Sequence, residues 1–515
     1  MKKIIGILTA VIMVFSVPVE ASEASLRGQP EELYRLISAG NYDLFTNYVD
    51  GYEMFVDRGM SVDTDYFGVA AVLENETKRI EIYKQNLSGI SKSGYINYSN
   101  QFLKNTADHY GIVQQTEEIG GRSIQITAWE RNKLARVSND KNYYVCLEIQ
   151  EGSNVYTIFV KSAVPIAENG GYRYLAENFQ LIRSTKSGFI RMSETIPAEE
   201  KGWNAETYEF YQKYFNDEAS LSWGIFEPDV DYTGYDTLHG YERTLDYIFP
   251  VLLSYTEVIN TAPEVVKNRL EDAYENGKVL ELTLQTAHAS NNMIYNLLNG
   301  QYDSYLYEYA SVISEFGHPV LFRLFNEMNG DWCPYSSYNT SKDTMLFKEA
   351  YWYIYSIFDS AGANENTIWI WNPNSESYPD FNWNHALMYY PGDEYVDVVG
   401  LTAYNTGTYY SGEKWQSFSE LYDNLYSDYC QWFSQPFMIT EFASSSIGGD
   451  KAAWIDDMFL RMQNFSRIKI AIWWDGCDWD ANGNIARPYF LDETPDTLEA
   501  FRKGIRSSWN VDVYA

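Results

Sequence analysis

From about residue 204 onward the chain alternates short apolar runs with longer amphipathic stretches. Eight runs rich in β-branched and aromatic residues have the length of buried strands: 221–226, 251–256, 279–284, 320–325, 367–371, 396–402, 437–440 and 468–474. Helical periodicity occupies the intervals 263–276, 302–316, 344–361, 419–433, 451–464 and 494–505. Eight strands alternating with helices predict an α/β fold, a single (β/α)8 TIM barrel. A doubly wound open sheet is the alternative, but it needs a glycine-rich turn where this chain has Glu227-Pro228-Asp229.

The first third of the chain has a different pattern. Alternating runs predict strands of an antiparallel sheet at 67–73, 79–83, 123–129, 143–149 and 155–160. Residues 30–49 predict one or two short helices, and 97–109 predict another. We therefore expect a small α+β accessory domain over 22–183, a polar linker over 184–203 and the barrel over 204–515. No cluster of chemically active residues occurs in the accessory domain, so a spacer or interaction role is expected, with sugar or cell-wall binding as the alternative.

Residues 1–21 have the pattern of a secretory signal peptide. Lys2 and Lys3 precede an apolar stretch over 4–17, and Val19-Glu20-Ala21 is a small-residue cleavage site. The apolar stretch is short for a membrane span. We expect a secreted, extracellular protein of bacterial origin, by its Lys-Lys start, without a membrane anchor after cleavage of the signal.

Composition narrows the function classes. The net charge of −33 argues against binding nucleic acid or anionic membranes, because phosphate recognition needs basic patches. The 45 Tyr and 15 Trp residues suit contact with sugar rings, although an aromatic-rich core explains them equally well. Four dispersed cysteines form no CxxC motif and leave up to two disulfides open: Cys146, Cys333, Cys430 and Cys477. No metal site and no cofactor are expected.

Polar and aromatic residues follow the predicted strands at the end where barrel enzymes carry their sites. The fourth strand runs into Asn326, Glu327 and Trp332, and the seventh contains Glu441. The full set at these strand ends is Glu227, Glu257, Gln285, His288, Asn326, Glu327, Trp332, Asn372, Asn374, Tyr404, Asn405, Glu441, Trp473, Trp474 and Asp475. It holds carboxylates, amides and aromatic rings, with His288 as its one histidine, and no serine–histidine pair.

This set suits glycoside hydrolysis, which commonly uses two carboxyl groups across the scissile bond. Glu327 is the candidate acid/base, because its apolar setting near Trp332 should raise its pKa. Glu441 is the candidate nucleophile, and Arg323 is the charge that keeps it ionised. For the remaining candidates, Tyr404 would hydrogen-bond the nucleophile, Trp473 or Trp474 would form the floor of the sugar site, and Asn326 would hold a ring hydroxyl.

At these residues the chain resembles a known family. Arg323-x-x-Asn326-Glu327-Met328-Asn329-Gly330-x-Trp332 resembles the acid/base signature of glycoside hydrolase family 26, and Ile439-Thr440-Glu441-Phe442-Ala443 resembles its nucleophile strand. The resemblance covers roughly residues 204–510. It implies a retaining (β/α)8 glycosidase with Glu327 as acid/base and Glu441 as nucleophile, supported by Arg323, Trp332, Tyr404 and Trp474.

One departure from the family bears on the substrate. Mannanases of the family usually carry His immediately before the acid/base glutamate, where this chain has Asn326. Asn at this position in the wider clan contacts the sugar 2-hydroxyl, which differs between mannose and glucose. We therefore expect an endo-acting enzyme on β-glucan, mixed-linkage or 1,4-linked, with β-1,4-mannan as the alternative. A non-catalytic polysaccharide-binding barrel and a metal-dependent hydrolase are the competing classes.

Overall fold

The computed structural model describes residues 33–63, 65–66, 68–166, 171–187, 193–286 and 292–507. Its first part is a module built on two antiparallel sheets. One sheet has the order β1-β2-β3-β11 and the other the order β4-β5-β6-β10-β9-β8-β7. The strands are β1 Tyr34–Ala39, β2 Tyr42–Asn47, β3 Tyr52–Asp57, β4 Ser61–Asp63, β5 Ala71–Glu74, β6 Lys78–Asn86, β7 Tyr110–Ile119, β8 Arg122–Glu130, β9 Tyr143–Glu151, β10 Asn154–Ser162 and β11 Gln180–Leu181.

In the described part of the module, short helices lie at Lys92–Ser99 (α1) and Arg173–Glu177 (α2). The predicted antiparallel sheet is present, but the two predicted helical regions are wrong in whole or in part. Residues 30–49 contain the β1–β2 hairpin, whose two-residue turn Gly40-Asn41 has Gly40 at φ 72°. Such a turn reverses the chain within two residues, so an alternating hairpin replaces the helix. The helix predicted at 97–109 begins earlier, at the Ser91 cap, and is followed by a 3-10 turn before β7.

The second part is a closed barrel of eight parallel strands that follow one another in chain order. The strands are β12 Ser222–Phe226, β13 Val251–Glu257, β14 Val279–Gln285, β15 Val320–Leu324, β16 Thr367–Trp371, β17 Val398–Thr402, β18 Phe437–Phe442 and β19 Ile468–Trp474. Pairing of β12 with β19, Ser222 opposite Ile470, closes the ring. All eight predicted strands, and therefore the predicted TIM barrel, are confirmed.

The helices around the barrel are α3 Ala205–Phe215, α4 Asp236–Leu245, α5 Pro263–Glu275, α6 Met293–Leu298, α7 Asp303–Phe316, α8 Thr344–Ala361, α9 Phe418–Trp432, α10 Lys451–Met462 and α11 Pro495–Ile505. The six predicted helices are among them. Short 3-10 turns lie at Gln101–Lys104, Ala198–Glu200, Pro228–Asp231, Ala363–Asn366, Asn382–Asn384, Ala386–Tyr389 and Asp393–Tyr395. A small hairpin, β20 Cys477–Trp479 and β21 Ile485–Pro488, follows the last barrel strand.

The module packs directly against the barrel. One apolar cluster contains module residues such as Tyr95 and Trp129 together with barrel residues such as Trp383. Trp383 is fully buried, and its indole donates to Ser99 Oγ of the module at 3.0 Å. The module and the barrel therefore share part of one apolar core.

A buried ionic group joins the same two parts. Lys161 of β10 lies 2.8 Å from Glu81 of β6 and 2.6 Å from Asp343, and all three side chains are almost fully buried. Asp343 also caps helix α8, since its side chain accepts from the Met345 amide. The module therefore forms an ion pair with the residue that caps barrel helix α8.

The described part of the predicted linker is also attached to the barrel. The Ser193 amide donates to the Trp432 carbonyl at 2.8 Å, and the Asn204 amide to the Glu365 carbonyl at 2.6 Å. All four cysteines are free thiols in the structure. In the described ranges, no helix combines the length and apolar character needed to cross a membrane. The predicted signal peptide lies outside these ranges.

Candidate active site

The acid/base candidate lies on a backbone segment with unusual torsion angles. Strand β15 ends at Leu324, and the next residues include Phe325 at φ 52° and Glu327 at φ 54°. Left-handed backbone at bulky residues is costly and recurs at functional sites. The Glu327 amide donates to the Asn372 carbonyl at 2.8 Å, which fixes this turn to the neighbouring strand. The turn brings the Glu327 carboxyl to the mouth of the barrel.

The surroundings of Glu327 favour its protonated form. Burial and the negative charge of Glu441 raise the pKa of Glu327 to about 8, while Arg323 acts in the opposite direction. A hydrogen bond with Trp332 also lowers the pKa of Glu327. This effect of Trp332 is opposite to the rise in pKa that we expected from the sequence. Glu327 therefore holds a proton at neutral pH, as a general acid must.

Glu441, on β18, is held by a cation and a hydroxyl. Arg323 Nη2 donates to Glu441 Oε2 at 2.9 Å, and the Tyr255 hydroxyl donates to the same oxygen. Arg323 has no exposed surface, so it touches the carboxylate and not the open cleft. The Glu441 carboxyl is thus held in place with a positive charge beside it.

Arg323 is shared with a second buried acid. Its Nε lies 2.7 Å from Glu281 Oε1 of β14, and both side chains are fully buried. Burial raises the pKa of Glu281 to about 8 despite the opposing charge of Arg323, and the charge of Glu441 adds to the rise. With Glu281 protonated at neutral pH, the Arg323 charge is left for Glu441.

Neutral groups complete the shell around this arginine. Arg323 Nε donates to Thr283 Oγ1 at 2.8 Å and Nη1 donates to Asn372 Oδ1 at 3.1 Å. Sequence reasoning did not assign Tyr255, Glu281 or Thr283 to the site. A charged residue inside the apolar strand 279–285, one strand from Arg323, was the signal that could have indicated Glu281.

The aromatic residues predicted to contact substrate differ in exposure and packing. Trp332 is 51% exposed beside Glu327, and Trp474 is half-buried and stacks on Phe226 at 5.2 Å between centroids. Tyr404 lies edge-on to Trp474 at 6.3 Å, and burial followed by the charge of Glu441 raises its pKa. Among the described hydrogen bonds, however, the hydroxyl on Glu441 belongs to Tyr255 and not to Tyr404.

The prediction that Trp473 contacts substrate is wrong. Its ring has no exposed surface and packs on Phe442 at 5.5 Å and Phe501 at 5.6 Å, between the barrel and its helices. Adjacent residues of a strand point to opposite faces, so only one of Trp473 and Trp474 faces the barrel interior. The prediction could not choose between them because both are apolar aromatics.

The last two candidates are Asn326 and His288. Asn326 is buried, and its carbonyl accepts from the Tyr335 hydroxyl at 2.6 Å, which anchors the residue before Glu327. His288 lies outside the described residues. Within the ranges that the structure covers, no group of three or more His, Cys, Asp or Glu side chains is arranged to hold a metal ion.

A (β/α)8 barrel with two carboxyl groups at the ends of strands four and seven has the architecture of a glycoside hydrolase. Residues 279–457 match the family model described as glycosyl hydrolase family 26. Over these residues the chain is similar to that family, as its two glutamate motifs predicted.

Individual relatives cover parts of the chain. Endoglucanase H of Acetivibrio thermocellus is 30% identical over 246 residues, 47% of this chain and 26% of that protein. A mannan endo-1,4-beta-mannosidase of Bacillus subtilis is 31% identical over 137 residues, 26% of this chain and 33% of that protein. The chain therefore spans a third or less of these two curated relatives. A solved Bacillus subtilis mannanase structure aligns with 61% of this chain and 95% of its own at 19% identity, with a TM-score of 0.41.

Proposed function

We propose that this protein is a retaining endo-β-glycosidase that hydrolyses a β-linked polysaccharide, with Glu327 as acid/base and Glu441 as nucleophile. The observation that carries the proposal is the contrast between the two carboxyl groups. Burial and a neighbouring anion keep Glu327 protonated, whereas Arg323 and Tyr255 donate to Glu441. Double displacement needs one carboxyl group that carries a proton and a second one that can attack as a nucleophile.

In the first step the Glu441 carboxylate attacks the anomeric carbon and forms a glycosyl ester. Glu327 gives its proton to the glycosidic oxygen as that bond breaks, so the leaving sugar departs as an alcohol. In the second step Glu327, now a carboxylate, takes a proton from water, whose oxygen attacks the anomeric carbon. Glu441 leaves as a carboxylate, Glu327 is protonated again, and the product keeps the β configuration.

We propose β-1,4-mannan as the substrate. Several of the matching relatives are named mannan endo-1,4-beta-mannosidases, and this supports mannan over the β-glucan that Asn326 led us to expect. β-Glucan is the second candidate. It is favoured by Asn326 before the acid/base and by the relative named endoglucanase H.

The test is the release of reducing sugars from galactomannan, glucomannan, mixed-linkage β-glucan and xylan. Glu441→Ala serves as the blank, because its loss should abolish turnover without disturbing the fold. Cleavage of galactomannan supports the mannan proposal, and cleavage of β-glucan alone replaces it with the second candidate. Azide added to Glu441→Ala should yield the inverted glycosyl azide if Glu441 is the nucleophile. A Glu441→Ala protein as active as the wild type would refute the site assignment.

We further propose that the protein is exported. The charged start, apolar stretch and small-residue site over residues 1–21 support this. Expression of the full chain in a bacterium, followed by N-terminal sequencing of protein from the medium, should give a mature chain that begins at Ser22. Full-length protein retained in the cell would contradict it.

A further inference from the structure

The loop that follows β15 is held by the module along its length. The loop, residues 325–343, carries Glu327 and Trp332 at its start and Asp343 at its end. His109 Nε2 of the module hydrogen-bonds Ser341 Oγ at 2.9 Å, and Lys161 pairs with Asp343. The acid/base loop is therefore a point of direct contact between module and barrel.

One module residue reaches the part of this loop nearest to Glu327. The hydroxyl of Tyr98, on α1, donates to Asp331 Oδ2 at 2.6 Å, one residue before Trp332. The Tyr98 ring lies 5.2 Å from that of Tyr338. Burial and then Asp331 raise the pKa of Tyr98, and the same two causes act on Tyr338. These contacts fix the position of Tyr98 without covering it, because 39% of the residue stays exposed.

Two further exposed rings contact each other at the same part of the loop. Trp332 is 51% exposed and Tyr378 is 44% exposed, and their centroids are 5.4 Å apart. The charge of Asp331 acts on Tyr378 as well, after burial and Glu376, so Tyr98 and Tyr378 both lie near the same carboxylate. Single exposed apolar residues need no explanation, but three grouped aromatic rings that begin at a catalytic carboxyl indicate a binding surface.

We propose that Tyr98, Trp332 and Tyr378 form an aromatic surface that binds the leaving-group side of the polysaccharide, so that the first module supplies part of the substrate site. The inference rests on the proposed function. The surface begins at Glu327, because Trp332 is hydrogen-bonded to that residue. Glu327 protonates the oxygen of the departing sugar, so the sugar next to Trp332 belongs to the leaving group. Tyr98, which is bonded to the residue before Trp332, would contact a further sugar of the same chain.

The test compares Tyr98→Ala with Tyr110→Ala on two substrates. Tyr110 is a matched control, since it is a module tyrosine with 40% exposure whose hydroxyl donates to Asn132 within the module. The long substrate is the polysaccharide that the wild type cleaves best. The short one is an aryl β-glycoside of the same sugar, whose nitrophenyl leaving group ends before Tyr98.

Tyr98→Ala should raise KM for the polysaccharide by about three- to tenfold, the range expected for one aromatic contact. Its kcat and its rate on the aryl glycoside should be unchanged. Tyr98→Phe should keep most of the affinity, because the ring remains and only the bond to Asp331 is lost. Tyr110→Ala should match the wild type on both substrates.

Other results would overturn the inference. An unchanged KM in an active Tyr98→Ala protein would show that the ring touches no sugar. Equal losses on both substrates, or equal losses in Tyr98→Ala and Tyr98→Phe, would mean that Tyr98 only holds the loop through Asp331. A wild type that neither cleaves the panel nor is retarded by it in native affinity gels would refute the proposed function, and the sugar assignment of this surface with it.

Discussion

At the scale of single residues, the protonation state of Glu327 sets the pH range of activity. Its pKa is raised to about 8, and the protonated form is the one that donates to the leaving group. Activity should therefore be present below this pKa and should fall as pH rises through about 8. A profile of kcat/KM between about pH 5 and 10 should show an alkaline limb near this value. A limb near the ordinary pKa of a glutamate would contradict the described environment.

The raised pKa of Glu327 can also be tested without substrate, by comparing the thermal stability of the wild type with that of Glu327→Gln. A carboxyl whose pKa is higher in the folded than in the unfolded chain favours folding at low pH. For Glu327, this stabilisation of the folded state is lost as pH rises from its ordinary pKa of 4.5 to its pKa of about 8 in the folded protein. The neutral amide has no such dependence. The melting temperature of Glu327→Gln should therefore exceed that of the wild type at pH 9, with a smaller difference at pH 5. Identical pH dependence of the two proteins would argue against a raised pKa.

Gly330 determines the position of Trp332. A Cβ on Gly330 would lie 2.5 Å from two carbons of the Trp332 ring, so Gly330→Ala must displace the indole. Trp332 then loses its bond to Glu327 and its place beside the leaving group. We expect about a tenfold loss of kcat/KM, comparable to the loss of one good contact, with the melting temperature within a few degrees of the wild type.

The matched control is Gly240→Ala. Gly240 lies in helix α4, where the nearest atom to an added Cβ is 4.0 Å away. Alanine is the better helix former by about 1 kcal/mol, so this variant should be as active as the wild type and slightly more stable. Similar losses of activity in both variants would show that the effect of Gly330→Ala is general and not due to Trp332.

At the scale of elements, the contact between β10 and the start of α8 carries a buried charge. Burial would raise the pKa of Glu81, but the charges of Lys161 and Arg79 outweigh it and lower the pKa to about 2. Lys161→Met would leave Glu81 and Asp343 buried with fewer cations. Breaking a buried pair in this way costs about 3–5 kcal/mol, which urea unfolding can measure.

A surface ion pair of the same module provides the control for Lys161→Met. Arg122 and Glu151 lie 2.7 Å apart, with side chains 29% and 28% exposed. Such pairs contribute at most about 1 kcal/mol, so Arg122→Met should change the free energy of unfolding little. If Lys161→Met proved equally mild, the buried group would not be what joins the module to α8.

The elements of the barrel could be predicted from sequence because each repeats a local pattern. Strands such as 367–371 are apolar throughout, and helix α8 has a clear cap at Asp343 and a glycine at its end. The β1–β2 hairpin was missed because its Gly40-Asn41 turn lies in a stretch with helix-like spacing. Glu327 and Glu441 were found because both follow or end apolar strands. Glu281 had a local signal, a charge inside an apolar strand. The bond from Tyr255 to Glu441 joins the second and seventh strands, and no local pattern shows it.

At the scale of the whole molecule, the module and the barrel share one apolar core. Tyr295 and Trp383 of the barrel are buried, and both bond to module side chains, His109 and Ser99. A sequence view of two domains and a linker could not anticipate this. The pairing of distant surfaces depends on three-dimensional complementarity and not on periodicity.

The shared core predicts what happens when the barrel is produced without the module. A fragment of residues 193–507 would expose apolar surface around Trp383 that the module covers, so it should aggregate or unfold at 25 °C. The full chain should unfold in one calorimetric transition, because partners in a shared core are lost together. Lys161→Met should move this single transition to lower temperature without splitting it. Two separate transitions in the wild type, or a soluble fragment with full activity, would show that the barrel is independent of the module.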